Sequence, residues 1–437
     1  MTITLHIITF LLFLAFITGL GRAILFLIDT DKSREDFTGW MPASFLLGGS
    51  AITLTSLPLS MMGIKTQWWM LIIPAVITAA MSVKKNRTAA NQPRTPFIEI
   101  IMFSIFTLLL TTNFMIAITY PYFDIDMIGH IMMKGKIIAD SSYASAFYFH
   151  DPIFASASNN YPPLTVFLQG FMIQLGLGGI ADYQAINYFI VLLMAMTLYN
   201  ALTPYTGKAQ AFAWCVILIS TAEYLCNQFI MSSTDVFVAL AILLIAKTFL
   251  TVTPRASTPQ CDLFSLLCVS GLLIKNDAVL FIGLITICLW IKDQRFPFRH
   301  IGIMALILAP WLLYRNGLPN LDIGPEYMVK HFFSCLPTSL LPILYKTIMT
   351  TITKHLYLLF LFLPIIWALL IRGKNLNLIM LCISISAVAY IIIVWGITSL
   401  GMGPAVPQLM RIFMHIYPPL LMLLAIGLNP RARSQAL

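Results

Sequence analysis

Ionisable side chains are concentrated in one stretch of an otherwise apolar chain. Residues 120–163 read YPYFDIDMIGHIMMKGKIIADSSYASAFYFHDPIFASASNNYPP and contain Asp124, Asp126, His130, Lys134, Lys136, Asp140, His150 and Asp151. Because only 10% of all residues are charged, this concentration calls for a functional explanation. Carboxylates suit two kinds of chemistry, general-base catalysis toward a hydroxyl group and metal ligation.

The spacing within this stretch predicts a helix with one polar face. Asp126, His130 and Lys134 follow one another at four-residue intervals, so they share a helix face. Apolar neighbours such as Ile131 surround that face, which is typical of an amphipathic helix at a membrane boundary. The alternative interpretation is a merely solvated face on an interfacial helix, whose lysines Lys134 and Lys136 snorkel toward water.

Three further ionisable residues interrupt apolar segments elsewhere. Asp235, in MSSTDVFVALAILL, is either a helix cap or part of an active-site wall. Lys275 interrupts an apolar hairpin in GLLIKNDAVLF, where Asp235 or Asp126 is available as its partner. Arg411, in PQLMRIFMHIYPP, is suited to holding a lipid phosphate through two parallel hydrogen bonds, or else it is an ordinary interfacial anchor.

The composition indicates an all-α polytopic membrane protein. Hydrophobic residues form 59% of the 437, and many apolar runs approach the roughly 20 residues that cross a bilayer. In a soluble protein the formal charge of +9 would suggest a nucleic-acid partner; here we attribute it to basic cytoplasmic loops and predict no nucleic acid. The seven cysteines include no CxxC pair and are expected to pack as small apolar residues.

The apolar runs predict about 13 transmembrane helices. They cover residues 3–28, 40–62, 66–83, 97–119, 184–203, 209–225, 234–252, 263–275, 277–291, 300–315, 352–371, 376–397 and 411–428. The basic loop KKNRTAANQPR is assigned to the cytoplasm, so residues 120–183 are predicted to be extracytoplasmic. If segment 162–179 crossed the membrane, every later basic loop would fall on the extracytoplasmic side. We therefore expect this segment to be a juxtamembrane helix that lies along the outer face. Asp140 and Asp182 are expected to solvate loops.

Four segments together resemble a known family. They are DMIGHIMMKGK (126–136), NNYPPLTVFLQG (159–170), SSTDVFVAL (232–240) and LLIKNDAVLF (272–281). The set resembles the GT-C superfamily of polytopic glycosyltransferases that use polyprenyl-phosphate sugars, especially bacterial relatives of protein mannosyltransferases and the aminoarabinose transferase. Two features depart from that pattern. Four predicted spans precede the polar stretch, where the better-known relatives have one, and Asp277 and Ala278 replace a Glu-Gly pair.

The resemblance implies a GT-C-like fold and roles for individual residues. Asp126 would be the general base, with Asp124 as its substitute if the register differs by one turn. The implied substrate-binding residues are His130, Lys134, Tyr161, Asp235, Lys275 and Arg411. Among them, Lys275 and Arg411 would offset the charge on the departing phosphate. No cofactor is certain; a divalent cation is possible near Asp124, Asp126, His130 and His150, although their spacing fits no metal site well.

The expected organisation has three parts. Residues 1–119 form an N-terminal four-span module, residues 120–183 an extracytoplasmic catalytic loop with juxtamembrane helices, and residues 184–437 the GT-C-like core. The expected donor is a polyprenyl-phosphate sugar, the acceptor a lipid, glycan or protein hydroxyl, and the location the inner or plasma membrane, among its lipids. The alternatives are a lipid-linked glycan polymerase or ligase and, less favoured, a multi-span transporter or flippase. A transporter is disfavoured because it concentrates polar groups near the midplane, where only Arg22 and Lys247 are predicted.

Overall fold

The computed structural model describes most of the chain as a helical bundle. The described residues are 3–28, 37–71, 132–142, 145–151, 162–231, 233–252, 258–315, 374–399 and 405–429, with isolated positions between 101 and 112 and at 318. Every regular element in these ranges is a helix. The predicted all-α class is therefore confirmed, whereas the GT-C assignment remains a prediction.

The described helices are α1 (Ile3–Ile28), α2 (Phe37–Met61), α3 (Met133–Asp140), α4 (Phe147–His150), α5 (Leu164–Gln174), α6 (Ile180–Thr206), α7 (Lys208–Met231), α8 (Ser233–Thr251), α9 (Thr258–Ile274), α10 (Ala278–Asp293), α11 (Phe298–Arg315), α12 (Lys374–Ser399) and α13 (Ala405–Leu428). A short 3₁₀ helix, Trp68–Leu71, follows α2.

Three of the described helices are long and apolar enough to cross a membrane. They are Thr4–Ile28, Phe37–Met61 and Ile180–Thr206, and their lengths exceed the roughly 20 residues that a bilayer requires. These helices indicate membrane association. The predicted spans at 97–119 and 352–371, and most of the span at 66–83, fall outside the described residues, so the count of 13 stays a prediction.

One apolar core runs through most of the bundle, and α8 lies at its centre. Residues Val236 to Ala246 are all buried, none more than 2% exposed, as expected of a helix that is apolar on every side. The same core includes Ile17 of α1, Phe45 of α2 and Ile426 of α13. The first two helices therefore share their core with the rest of the bundle; the predicted division at 119/120 itself falls on residues that are not described.

Two glycines bring α1 and α2 into backbone contact. A Cβ atom added to Gly21 would lie 1.6 Å from the carbonyl oxygen of Ser44, and one added to Gly48 would lie 1.9 Å from that of Ile17. Small residues at helix crossings permit this approach in membrane proteins, where close packing rather than water exclusion holds helices together. The crossing fixes α1 on the outside of α2.

Side-chain contacts show which helix ends meet. At one end, which we call the site end, Lys275 meets Asp235 and Arg315 meets Asn276, so the beginning of α8 lies beside the ends of α9 and α11. At the opposite end, Lys292 reaches the carbonyl oxygen of Val252. The ends of α8 and α10 therefore meet there, and the alternation expected from the sequence is present in these helices.

Asp182 corrects an expectation about loops. It lies in the first turn of α6 and is 6% exposed. Its carboxylate contacts His6 of α1 and accepts a hydrogen bond of 2.9 Å from the backbone N–H of Gly179. It therefore caps α6 and joins it to α1 instead of solvating a loop.

Helix α5 is too short to cross, as expected, but it does not lie on a surface. Residues Pro162 to Met172 are all buried. Leu164 and Leu168 pack against Gly49 in the middle of α2, while Gln174 at the end of α5 donates a 2.8 Å hydrogen bond to the carbonyl oxygen of Thr66. The expectation of a surface helix was wrong because this apolar segment finds a groove beside the small residues of α2.

Helix α3 runs parallel to α5 at close range. A Cβ atom on Gly135 would lie 2.5 Å from Cγ of Gln169, and Gln174 donates a hydrogen bond of 3.3 Å to the carbonyl oxygen of Ala139. Both helices are shorter than the roughly 20 residues of a full span. They form a pair of short helices, of which α5 is buried in the bundle, while α3 belongs to the polar stretch and keeps one face exposed, at Met133, Lys136 and Asp140.

Candidate functional site

A buried ion pair joins Asp235 to Lys275. Asp235 lies in the first turn of α8, and Lys275 directly follows the last residue of α9. The Lys275 ammonium donates a hydrogen bond of 2.7 Å to Oδ1 of Asp235, and the two residues are 7% and 0% exposed. Of the two partners named from the sequence, Asp235 and Asp126, the structure shows Asp235 beside Lys275, and the role of the pair remains a proposal.

Asp277 gives the same ammonium a second carboxylate. Its Oδ2 lies 2.7 Å from Nζ of Lys275, and one third of its side chain is exposed. Lys275 and Asp277 belong to the three-residue connection that separates α9 from α10. This tight turn places both side chains against the start of α8, so one ammonium bridges two carboxylates.

His415 completes the group and was not named as a site residue from the sequence. Its Nε2 donates to Oδ1 of Asp235 at 2.8 Å, and its side chain is fully buried. The signal in the sequence is a histidine inside an apolar helix, one turn after Arg411, since intramembrane ionisable residues usually have a function. We call Asp235, Lys275, Asp277 and His415 the Asp235 cluster.

Arg411 lies in the helix that supplies His415. Its backbone belongs to α13, four residues before His415, so the two positions share a helix face. The Arg411 side chain lies outside the described residues. The structure therefore brings Asp235 and Lys275 together and places the Arg411 position on the helix that contacts them.

The Asp235 cluster is recessed into the bundle. Phe237, two positions after Asp235, lies beside Phe45, with ring centroids 6.3 Å apart, and Phe45 belongs to the first half of α2. Near the end of α9, Ser270 accepts a 2.7 Å hydrogen bond from the hydroxyl of Ser50 in the middle of α2. The cluster thus lies beside the middle turns of α2 and not beside either end of that helix.

Helix α11 joins the cluster to the polar stretch. Arg315 donates a hydrogen bond of 3.3 Å to the amide oxygen of Asn276, between Lys275 and Asp277. The neighbouring Tyr314 has its hydroxyl 3.4 Å from Nε2 of His150 in α4. The segment that carries α3 and α4 therefore lies at the site end, next to the cluster.

Lys134 is buried, which corrects one alternative interpretation. It is 2% exposed in α3, whereas Lys136 is exposed. Only Lys136 fits a lysine that snorkels to water. Burial lowers the pKa of the Lys134 ammonium from 10.5 to about 7, because the charged form loses its hydration.

The remaining residues named from the sequence are not among those described. They are Asp124, Asp126, His130 and Tyr161. The convergence of Asp126 with the Asp235 cluster therefore stays a prediction, as does the possible divalent cation near Asp124, Asp126, His130 and His150.

The cluster combines opposite charges in a dry environment. Two carboxylates surround one ammonium, and an imidazole donates to one of the carboxylates. A buried ion is costly unless it is paired and hydrogen-bonded, so these groups hold one another in place. Such an arrangement holds one ammonium between two carboxylates inside an apolar bundle.

The fold and site define a helical membrane-associated protein with a recessed ionic cluster. Comparisons of the chain with protein families, curated proteins and solved structures found no match.

Proposed function

We propose that the protein is a membrane glycosyltransferase that moves a sugar from a polyprenyl-phosphate donor to an acceptor hydroxyl at the extracytoplasmic face. The observation that supports this most is the Lys275 ammonium, which Asp235 and Asp277 each hold at 2.7 Å in the recess. In this proposal the ammonium meets the phosphate head of a lipid-linked donor together with Arg411, which supplies the positive charge that the two carboxylates do not already compensate. The resemblance of four segments to the GT-C superfamily adds to that argument.

The reaction needs a base on one side of the sugar and cations on the other. The acceptor oxygen forms a bond to the anomeric carbon while the bond from that carbon to the phosphate oxygen breaks. Asp126 takes the acceptor proton, and polyprenyl phosphate leaves. Lys275 and Arg411 offset the negative charge that grows on the phosphate, and such preorganised charges stabilise a transition state most in a water-poor site.

Asp235 and His415 act by positioning. The Asp235 carboxylate fixes the Lys275 ammonium at 2.7 Å, and His415 fixes the carboxylate at 2.8 Å. A lysine side chain alone has many rotamers. Because Asp235 already holds Lys275 in one of them, the side chain loses less conformational entropy when the donor binds. His415 therefore influences the phosphate through two intermediaries.

The position of α3 and α4 is compatible with a base supplied by the polar stretch. Asp126 precedes Met133, the first residue of α3, by seven positions. An extended chain of that length reaches about 25 Å at most. His150 of α4 contacts Tyr314 beside the cluster, so the described part of the segment that follows Asp126 reaches the site end.

Analysis of cell-envelope glycans tests the proposal. Deleting the gene should remove one sugar from a glycan and cause its polyprenyl-phosphate donor to accumulate. Complementation with the wild-type chain should restore the glycan, whereas Lys275→Met at normal membrane levels should not. Unchanged glycans and unchanged donor levels in the deletion strain would exclude the proposal.

A second candidate is a transporter or flippase for a lipid-linked sugar. The short buried helix α5, together with a recessed ionic cluster, favours it, because broken helices and buried charges line many transport sites. The two candidates differ in chemistry. A transferase releases free polyprenyl phosphate from its donor, while a flippase moves the donor between leaflets and breaks no bond.

A further inference from the structure

We propose that the Lys275 ammonium occupies the place of a divalent cation between Asp235, Asp277 and His415, so that the Asp235 cluster works without a bound metal. This inference concerns the cluster alone and does not depend on the proposed transferase activity. It also explains why one lysine contacts two carboxylates at the same distance.

The three side chains around Lys275 are a set of metal ligands. One ligand atom from each of Asp235, Asp277 and His415 lies within 4.8 Å of the others. Carboxylate oxygens and an imidazole nitrogen suit first-row divalent ions such as Co²⁺ and Zn²⁺. Ligands of such ions lie about 2.0–2.2 Å from the metal, so atoms on opposite sides of one ion are at most about 4.4 Å apart. A small adjustment of the three side chains, with the proton moved off Nε2 of His415, would close around an ion.

The lysine takes the position that the ion would need. Its Nζ lies 2.7 Å from Oδ1 of Asp235 and 2.7 Å from Oδ2 of Asp277. Placing a doubly charged ion among the same oxygens would put two cations within a few ångströms of each other, and their repulsion is strong where water is scarce. The ammonium therefore supplies the compensating charge and excludes the metal.

Buried residues on both sides hold the backbone that carries the lysine. Lys275 and Asp277 lie in the three-residue connection between α9 and α10, and Ile274 and Ala278 on either side are fully buried. The backbone of the connection is thus held by the core. Removal of the ammonium should leave the three ligands in place around an open cation position.

Cobalt binding to the purified full-length protein tests the inference. Wild type, Lys275→Ala and Lys275→Met are freed of metal with EDTA, which is then removed, and titrated with Co²⁺, whose visible absorption becomes more intense when protein ligands replace its octahedral shell of water. Both variants should gain one bound Co²⁺ with an affinity at least about tenfold above that of wild type. Adding Asp235→Asn to Lys275→Ala should remove the gained site.

Lys292 provides a matched control. It is also a buried lysine, 7% exposed like Lys275, but its ammonium donates to the backbone carbonyl oxygens of Phe249 and Val252. Lys292→Ala therefore removes a buried ammonium without opening an Asp/Asp/His set, and it should gain no Co²⁺ absorption.

Two results would overturn the inference. One is stoichiometric Co²⁺ binding by wild type that disappears in His415→Gln. The other is a folded Lys275→Ala or Lys275→Met protein that binds Co²⁺ no better than wild type. If neither variant is recovered folded, the wild-type titration decides: absence of a Co²⁺ absorption that His415→Gln removes supports the inference, and its presence contradicts it. None of these measurements requires sugar transfer, so their outcome is separate from that of the proposed function.

Discussion

Oδ1 of Asp235 accepts hydrogen bonds from Nζ of Lys275 at 2.7 Å and from Nε2 of His415 at 2.8 Å. A single carboxylate oxygen therefore joins the start of α8, the end of α9 and the interior of α13. These three segments are distant in the sequence, so the contact holds three helices together at the site as well as supplying its ionised groups.

This contact predicts that single and double substitutions differ in stability. Asp235→Leu leaves a buried ammonium with less compensation and should lower the free energy of unfolding by about 3 kcal/mol. Combining it with Lys275→Met replaces the pair by apolar groups and should recover most of that loss, while sugar transfer stays abolished. Thermal unfolding in detergent measures the first effect and donor turnover the second. If the double variant lost as much free energy of unfolding as the two single variants added together, that result would contradict the pairing.

The crossing of α1 and α2 makes a prediction with an internal control. Gly21→Ala would place a Cβ atom 1.6 Å from the carbonyl oxygen of Ser44, and such overpacking costs about 1–3 kcal/mol. For Gly19, on the same helix, no atom of the other described residues beyond its own helix backbone lies within 4 Å of the equivalent position, so Gly19→Ala should be neutral or slightly stabilising. Melting temperatures of the two variants test this. Equal melting temperatures would mean that the helices do not cross at Gly21.

The buried Lys134 makes stability depend on pH. Its pKa in the folded protein is lowered from 10.5 to about 7, so between these values the unfolded chain binds more protons and stability rises with pH. The gain is at most about 1.4 kcal/mol per pH unit. Lys134→Met, which removes the charge, should exceed wild type in melting temperature at pH 6, with a difference that shrinks toward pH 9. A difference that is independent of pH would show that Lys134 is hydrated.

The predicted topology is open to chemical labelling. Ser141 directly follows α3 and is partly exposed. Ser141→Cys in intact cells should react with a membrane-impermeant thiol reagent added outside, since residues 120–183 are predicted to be extracytoplasmic. The unsubstituted protein reports the background from its seven native cysteines. Labelling that appears only after lysis would place the polar stretch in the cytoplasm and remove the extracytoplasmic mechanism.

Most of the described helices could be predicted from the sequence because each depends on the apolar length of its own segment. Apolar length alone identified α1, α2 and α6, and the side on which each loop falls suggested that Lys275 meets Asp235. The burial of α5 could not be anticipated, since an apolar run of 11 residues has the same composition on a surface as in a groove. Leu164 and Leu168 pack beside Gly49 of α2 in that groove.

His415 and Asp182 were missed for a related reason. Each looked like an isolated polar residue, and its partner lies 180 or 176 positions away. No periodicity within one helix reveals which face of α13 will meet α8, or that His6 will meet the start of α6. These contacts follow from the rotation of whole helices in the bundle, which packing determines.

The most direct test of the account is release of polyprenyl phosphate by purified protein in liposomes that contain a polyprenyl-phosphate sugar and an acceptor extract. Wild type should release the lipid phosphate as the sugar joins the acceptor. Asp126→Asn, which keeps the shape of the side chain and removes the base, should lower that rate by at least about 100-fold while protein levels stay normal. Near-wild-type release by Asp126→Asn would contradict the catalytic assignment, and no release by wild type with any donor would contradict the transferase itself.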